Sequence, residues 1–472
     1  MASPLSEKTS EMPVAVSSDG AIPRPPLLDP RIKQLRIIAV IAVVILFYVL
    51  IPILNSTGAV SDLSINILGR YLCFAIVALG IDLVWGYAGL LSLCQAFFFC
   101  VGGYAIGMFL SLPQGGGQVQ KAYNNIPQFF FFNNQSTLPD FWKPFASLPF
   151  TLAMGIFIPA VVAGIFGFFI FRSRVRGVYF AIITQALAWA AYLLFCRNEL
   201  LLGGTDGLTN FYPPLQHSHA WILGLYFLTA VVLGLLYLAL FKLTKSRFGR
   251  ILIAIRDREL RLHFAGYKPY AFKVFAFVVG AVIAAIGGML YVPQNGIITP
   301  GTMAVESSIL MVVLVAVGGR GRLWGAIIGA LVVRYAYSIL SSDMPAMWSF
   351  FEGGLFIAVT LLFSNGLVGL WDELEENLRI RDSGLQLALS VIPLATVMAF
   401  VLCEALGLMP AALQHTIATP LTVMPEIPIK FILLAGILTS VAFARWLVRF
   451  IGRPRGSVIA AESRPAVEEA HA

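Results

Sequence analysis

Long apolar runs without charge recur along this chain, and they constrain its fold more than any other feature. Residues 37–54, 147–171, 221–241 and 274–290 contain no Asp, Glu, Lys, Arg or His. A run of about 18 or more such residues reads as a membrane-crossing helix. Lipid offers the backbone no hydrogen-bond partner, and a helix satisfies its own N–H and C=O groups. Only 12% of the 472 residues are charged, against about 25% in soluble domains. The chain is therefore expected to be all-α and polytopic. Apolar segments are readable near 37–54, 63–84, 95–111, 147–171, 177–196, 220–241, 274–293, 308–318, 323–340, 349–366, 384–407 and 428–450. They amount to about 10–12 transmembrane helices, with 308–318 too short for a straight crossing.

Basic residues orient the array, because Lys and Arg collect in cytoplasmic loops. With the N-terminus inside, the inner loops hold 23 of them, in clusters at 31–36, 172–176, 242–273, 320–322, 379–381 and 445–455. The outer loops hold four: Lys121, Lys143, Arg197 and Lys430. Both termini are thus expected in the cytoplasm. The net charge of +8 is explained by this loop bias, and no nucleic-acid partner is expected. The first 30 residues are polar and Pro-rich, without the apolar core of a secretory signal. The outer loop 113–146, with "PQFFFFNNQ", suits either a partner protein or the lipid interface.

Catalytic and metal chemistry find little support. Cys73, Cys94, Cys100, Cys196 and Cys403 lie in or beside apolar segments without a CxxC pair, and free Cys commonly behaves as a small buried apolar residue. No Gly-Lys dipeptide occurs, which excludes a Walker A phosphate loop. No metal or cofactor is expected. Among residues within or at the ends of spans, Arg70, Asp82, Arg334, Glu352 and Glu404 are ionisable. Such residues are functional by default, although long side chains near span ends also snorkel to the interface.

Two apolar stretches are rich in glycine, "WGYAGLLSLCQAFFFCVGGYAIG" at 85–107 and "VAVGGRGRLWGAIIGA" at 315–330. The pairs Gly103/Gly107 and Gly325/Gly329 and the series Gly280, Ala284, Gly288 fit close helix contact. Interrupted helices also mark solute pathways in transporters, so both readings stand.

The stretch "SRFGRILIAIRDRELRLHFAGYKP", 246–269, breaks the apolar pattern. From Lys242 to Lys273 lie nine of the 32 basic residues, with the acids Asp257 and Glu259. It reads either as an ordinary positive inner loop or as a surface helix that enters a groove of another protein. Gly266 ends the helix and Pro269 forces the exit.

This stretch resembles the coupling-helix region of permease subunits of ATP-binding-cassette importers of the branched-chain amino acid and urea type. The likeness continues, in order, through "GIDLVWGYAGLLSLCQAFFFCVGGYAIGMFL", "RGVYFAIITQALAWA", "RNELLLGGTDGLTNF", "YVPQNGIITPGTMAVESSI", "VAVGGRGRLWGAIIGA" and "SFFEGGLFIAVTLLFSNGLVGL". Within the family, "RGVYFAIITQAL", "AIRDRELRLHFAGY" and "VPQNGIITPGTM" are similar to the urea-transporter permease. The resemblance implies a multi-pass subunit of a bacterial inner membrane that moves urea or a short amide inward. Its partners would be a second permease in a heterodimer, two cytoplasmic ATPase subunits, a periplasmic binding protein and membrane lipid. A branched-chain amino acid permease is the alternative, and a stand-alone channel or secondary carrier a further one. The family's Gly-His is replaced here by Cys94-Gln95.

By the same resemblance, Arg256, Asp257, Arg258, Glu259, Arg261, Phe264, Gly266 and Tyr267 form the ATPase-coupling loop. Gln95, Thr205, Asp206, Asn210, Gln294 and Glu306 are candidates for the solute pathway. The turn "GGTDGLTN" at 203–210 also reads as a locally capped Gly-rich turn. The organisation expected is a cytoplasmic tail at 1–36, a permease core at 37–371, a charged linker at 372–384, a two-span hairpin at 385–452 and a second tail at 453–472. Truncation after Gly384 is therefore expected to preserve insertion and most ATP-dependent uptake, measured in vesicles per inserted molecule. An inserted but inactive truncation would place the last two spans in the pathway.

Overall fold

Ser61 opens the first helix of the computed structural model, its hydroxyl accepting the Ser64 N–H at 3.2 Å as an N-cap. The structure describes residues 61–115, 119–120, 126–127, 138–173, 175, 177–209, 219–343, 353–354 and 366. The tails, the spans at 37–54, 349–366, 384–407 and 428–450, the linker and Asn210 lie wholly or almost wholly outside them.

Nine α-helices organise these residues. They are α1 (Asp62–Ile81), α2 (Gln95–Ser111), α3 (Leu148–Arg172), α4 (Val178–Phe195), α5 (His219–Lys245), α6 (Arg247–Phe264), α7 (Pro269–Asn295), α8 (Val305–Gly318) and α9 (Leu323–Asp343). A two-residue ladder, β1 (Val119–Gln120) with β2 (Ile126–Pro127), is minor, and the class is all-α.

Among the described residues, five helical stretches are long and apolar enough to cross a membrane: α1 with its continuation to Tyr87, α3, α4, α5 and α7. At 1.5 Å per residue, the 25 residues of α3 reach about 37 Å, beyond the roughly 30 Å of hydrocarbon. In two places the expected segments are not straight full-length crossings. Segment 95–111 forms a helix of 17 residues, which begins inside the bundle. The atoms of Gln95 lie near Gly280, while Gly102 faces Ala285 and Gly103 faces Val292 further along α7. Segments 308–318 and 323–340 form a pair bent by 120° at a short break. Glycine breaks, invisible to hydropathy, cause both differences.

α7 is the hub and packs on α1, α2 and α3. Helices α1 and α2 are buried along nearly all their length. Their closeness to α7 rests on missing side chains. A Cβ at Gly102 would collide with the Ala285 carbonyl, one at Gly288 with the Phe99 carbonyl, and one at Gly80 would come within 2.9 Å of the Gly280 carbonyl. The Gly280–Gly288 series of α7 therefore makes close contact, as does Gly325/Gly329 against Gly318. Around this centre, Phe74, Phe99 and Tyr291 cluster with ring centroids 5.3–5.5 Å apart. Phe277 gathers Phe98, Phe171 and Phe180.

The outer helices α3, α4 and α5 present apolar side chains outward, including Phe157, Phe169, Tyr179, Leu193 and Leu235. In water such a surface is untenable, whereas lipid tails are as apolar as leucine. Adding one methyl at the hub tests the packing. Gly102→Ala is expected to destabilise the detergent-solubilised protein by about 1–3 kcal/mol through overpacking. Gly164→Ala meets only Val278 Cγ2 at 3.9 Å and is expected to leave thermal unfolding unchanged or raise it.

Candidate functional site

The charged stretch between α5 and α7 folds as α6, opened by Ser246, whose Oγ accepts the Phe248 N–H at 3.2 Å. Gly249, Leu252 and Ile255 form its buried face. A spacing of three residues puts them on one side of a helix, so the stretch has a helical face turned to the bundle. Regular geometry is interrupted at Arg258, with φ −150° and ψ 71°. The helix ends at Phe264, and Gly266 follows at φ +80°, the left-handed conformation that favours glycine at a helix C-terminus. Pro269 then occupies the first turn of α7.

The eight coupling-loop candidates divide into two groups. Beyond the kink, Phe264 and Tyr267 are exposed, Phe264 at 91%, as is the neighbouring Leu260. Arg261 and Gly266 lie beside them and are also exposed. Phe248, Ala271, Phe272 and Phe275 line a shallow apolar groove nearby. Arg256 and Glu259 instead reach back into the chain. The Arg256 Nη1 donates to the Gly86 carbonyl at 2.7 Å, and its Nε donates to Asp257 at 3.0 Å. Glu259 accepts from Lys273 Nζ at 2.7 Å. Lys273 is buried at the start of α7, so this pair fastens α6 to α7. Arg258 sits at the kink itself.

The solute-pathway candidates do not form one cluster. Gln95 is buried at the start of α2, and neither of its amide atoms has a partner among the described residues. Gln294 is also buried, but its Nε2 donates to Thr229 Oγ1 at 2.8 Å and to the Leu290 carbonyl at 2.9 Å. Its oxygen lies against Gly69, where a side chain would collide with it. Gln294 thus ties α7 to α5 and α1. Thr205, Asp206 and Glu306 are exposed. Their segments are joined where Leu208 and Ile298 exchange backbone hydrogen bonds of 2.9 and 3.0 Å. A Cβ at Gly207 would strike the Ile298 carbonyl, so the Gly-rich turn is required by this close pairing. Asn210 lies outside the described residues.

Thr184, which the sequence did not single out, and the span residues Arg70, Arg334 and Asp82 complete the polar fittings. Thr184 Oγ1 accepts the Leu93 N–H at 3.1 Å and so holds the loop that precedes α2. Arg70 donates to Asn295 at 3.1 Å. Arg334 lies over Phe74, 3.9 Å from the ring centroid. Asp82, fully buried, accepts the Gly321 N–H at 2.6 Å. Its position in an apolar span was the signal available in the sequence; its partner, 239 residues away, was not.

Residues 63–360 match the model of one family, described as branched-chain amino acid transport system / permease component. The chain belongs to that family. It is a permease subunit of the ATP-binding-cassette type, a multi-pass protein of the inner membrane, and not an enzyme. Among curated relatives, this permease is 24% identical over 336 residues to the high-affinity branched-chain amino acid transport system permease protein LivM of Salmonella typhimurium, covering 66% of this chain and 71% of that one. It is 27% identical over 283 residues to the probable LivM of Methanocaldococcus jannaschii, covering 57% and 79%. With the autoinducer 2 import system permease protein LsrC of Yersinia enterocolitica it shares 27% over 212 residues, covering 43% and 57%. No solved structure matches it.

The Glu259–Lys273 pair separates packing from docking. Glu259→Gln leaves a buried ammonium without its counter-charge, whereas Lys273→Met removes that charge. The first substitution is expected to cost about 2–4 kcal/mol and the second markedly less. Thermal unfolding in detergent measures both. Equal losses would show that the pair is not what holds α6 to α7.

Proposed function

We propose that this chain forms part of the solute path of an ATP-driven importer, and that α6 docks into a cytoplasmic ATPase subunit. The observation that carries this reading is the far end of α6, where Leu260, Phe264 and Tyr267 stand exposed among charges in a segment linking two spans. An apolar tip on an amphipathic helix suits insertion into a protein groove. In this reading the α6 end of the bundle faces the cytoplasm, in agreement with its basic residues. A second permease completes the pathway, and a periplasmic protein delivers the solute at the opposite end.

The solute is a small polar molecule. The printed functions of the LivM relatives favour a branched-chain amino acid. Urea or a short amide is the second reading, favoured by "RGVYFAIITQAL" and "VPQNGIITPGTM". The amide of Gln95, without a partner among the described residues, suits either, since a zwitterion and an amide both present donors and acceptors. The turn at 203–209 stands near the entrance.

Phe264→Asp and Gly266→Pro test the docking. Both variants are expected to insert normally, to lose co-purification with the ATPase subunits, and to lose ATP-dependent uptake by about 10²-fold, in proportion to a removed hot-spot contact. Normal uptake by both would end the docking assignment. Uptake of labelled leucine and labelled urea by wild-type vesicles, each competed by the other, decides the solute.

A further inference from the structure

Three interruptions of regular helix converge on one arginine. The first is the π turn Asp82–Tyr87 that continues α1. The second is the turn between Gly318 of α8 and Leu323 of α9. The third is the kink of α6 at Arg258. Arg256 stands two residues before that kink and reaches both of the other breaks. Its Nη1 donates to the Gly86 carbonyl at 2.7 Å. The same nitrogen lies 3.6 Å from the point where a Gly321 side chain would begin. Its stem packs on Gly89, where a Cβ would come within 2.7 Å of Arg256 Cγ.

The two membrane breaks are also joined directly. Asp82 Oδ1 accepts the Gly321 N–H at 2.6 Å, while Oδ2 has no partner among the described residues. Asp82 is fully buried. A Cβ on Gly86 would collide with both the Asp82 carboxylate and the Gly321 backbone. The contact is therefore backbone on backbone, with no flexible side chain to absorb a displacement. The last carbonyls of a helix lack internal partners and carry the negative end of its dipole, so a guanidinium is suited to hold Gly86. Close-packed contacts of this kind pass between discrete arrangements rather than deform continuously.

We propose that Arg256 and Asp82 form a linkage that transmits movement of α6 to the two interrupted membrane segments, the π turn of α1 and the α8–α9 turn. Arg256 is a positioning residue; it clamps the Gly86 carbonyl from the surface helix. Asp82 bolts that turn to Gly321. The functional consequence rests on the docking of α6 proposed above, whereas the linkage itself does not.

Two measurements test the two parts separately. Hydrogen–deuterium exchange on the purified full-length chain reads the linkage without any partner. Arg256→Ala is expected to raise exchange by about tenfold at 86–90 and 319–323, and Asp82→Ala to raise it at 254–260. Asp82→Asn keeps an acceptor oxygen for Gly321 and is expected to exchange as the wild type does. Changes confined to the substituted segment, or an Asn variant as perturbed as the Ala variant, would overturn the linkage. If Asp82→Ala does not insert, the response of 319–323 to Arg256→Ala decides it.

The second measurement is solute moved per ATP hydrolysed, in the complex reconstituted with its ATPase subunits and binding protein. The ratio is expected to fall about tenfold in Asp82→Ala and to recover in Asp82→Asn. A ratio that stays at the wild-type level while exchange responds would overturn the transmitting role. A wild-type complex without ATP-driven uptake would sink the docking reading instead, and the exchange measurement would still decide the linkage.

Discussion

Backbone-to-backbone contact of α1 and α2 with α7 is the constraint on which the rest of the structure depends. Gly102 rests on the Ala285 carbonyl, Gly288 on the Phe99 carbonyl and Gly80 near the Gly280 carbonyl. No apolar driving force separates helix from lipid in a bilayer, so association relies on packing and on small residues that permit it. Once the three helices are this close, aromatic rings fill the remaining space around Phe74, Phe99 and Tyr291. The surrounding helices α3, α4 and α5 then turn most of their apolar side chains outward.

Interrupting a helix at this depth frees backbone groups, and each needs a partner where water is scarce. The chain supplies these partners from distant segments. Thr184 of α4 accepts the Leu93 N–H. Asp82 accepts the Gly321 N–H. Arg256 donates to the Gly86 carbonyl. The breaks are thus built features held by specific side chains. Gln95 differs, because both of its amide atoms are buried without a partner among the described residues. A buried amide in that state is costly unless something else meets it.

Helix α6 serves two surfaces at once. Leu252 and Ile255 face the bundle, and Arg256 and Glu259 are spent on contacts within the chain. Past the kink, Leu260 and Phe264 are turned outward. The charges that made the stretch conspicuous are therefore in part structural. The apolar residues between them are the ones left exposed.

Hydropathy and glycine content determined a good deal. The all-α class, the crossings α1, α3, α4, α5 and α7, and the surface helix ended by Gly266 were all legible, because each depends on local composition. Close contact by Gly280 and Gly288 was legible as a pattern. Other features were decided only in three dimensions. That α2 starts inside the bundle, and that α8 and α9 turn back at 120°, depends on what the glycines touch. Gln294, a pathway candidate in the sequence, donates to Thr229 of α5. Glu259, grouped with the docking surface, is paired to Lys273. Asp82 meets Gly321 across 239 residues. Periodicity reports which face of a segment is apolar, but a hydrogen bond between two breaks depends on the packing of every helix between them, and that information exists only in the folded chain.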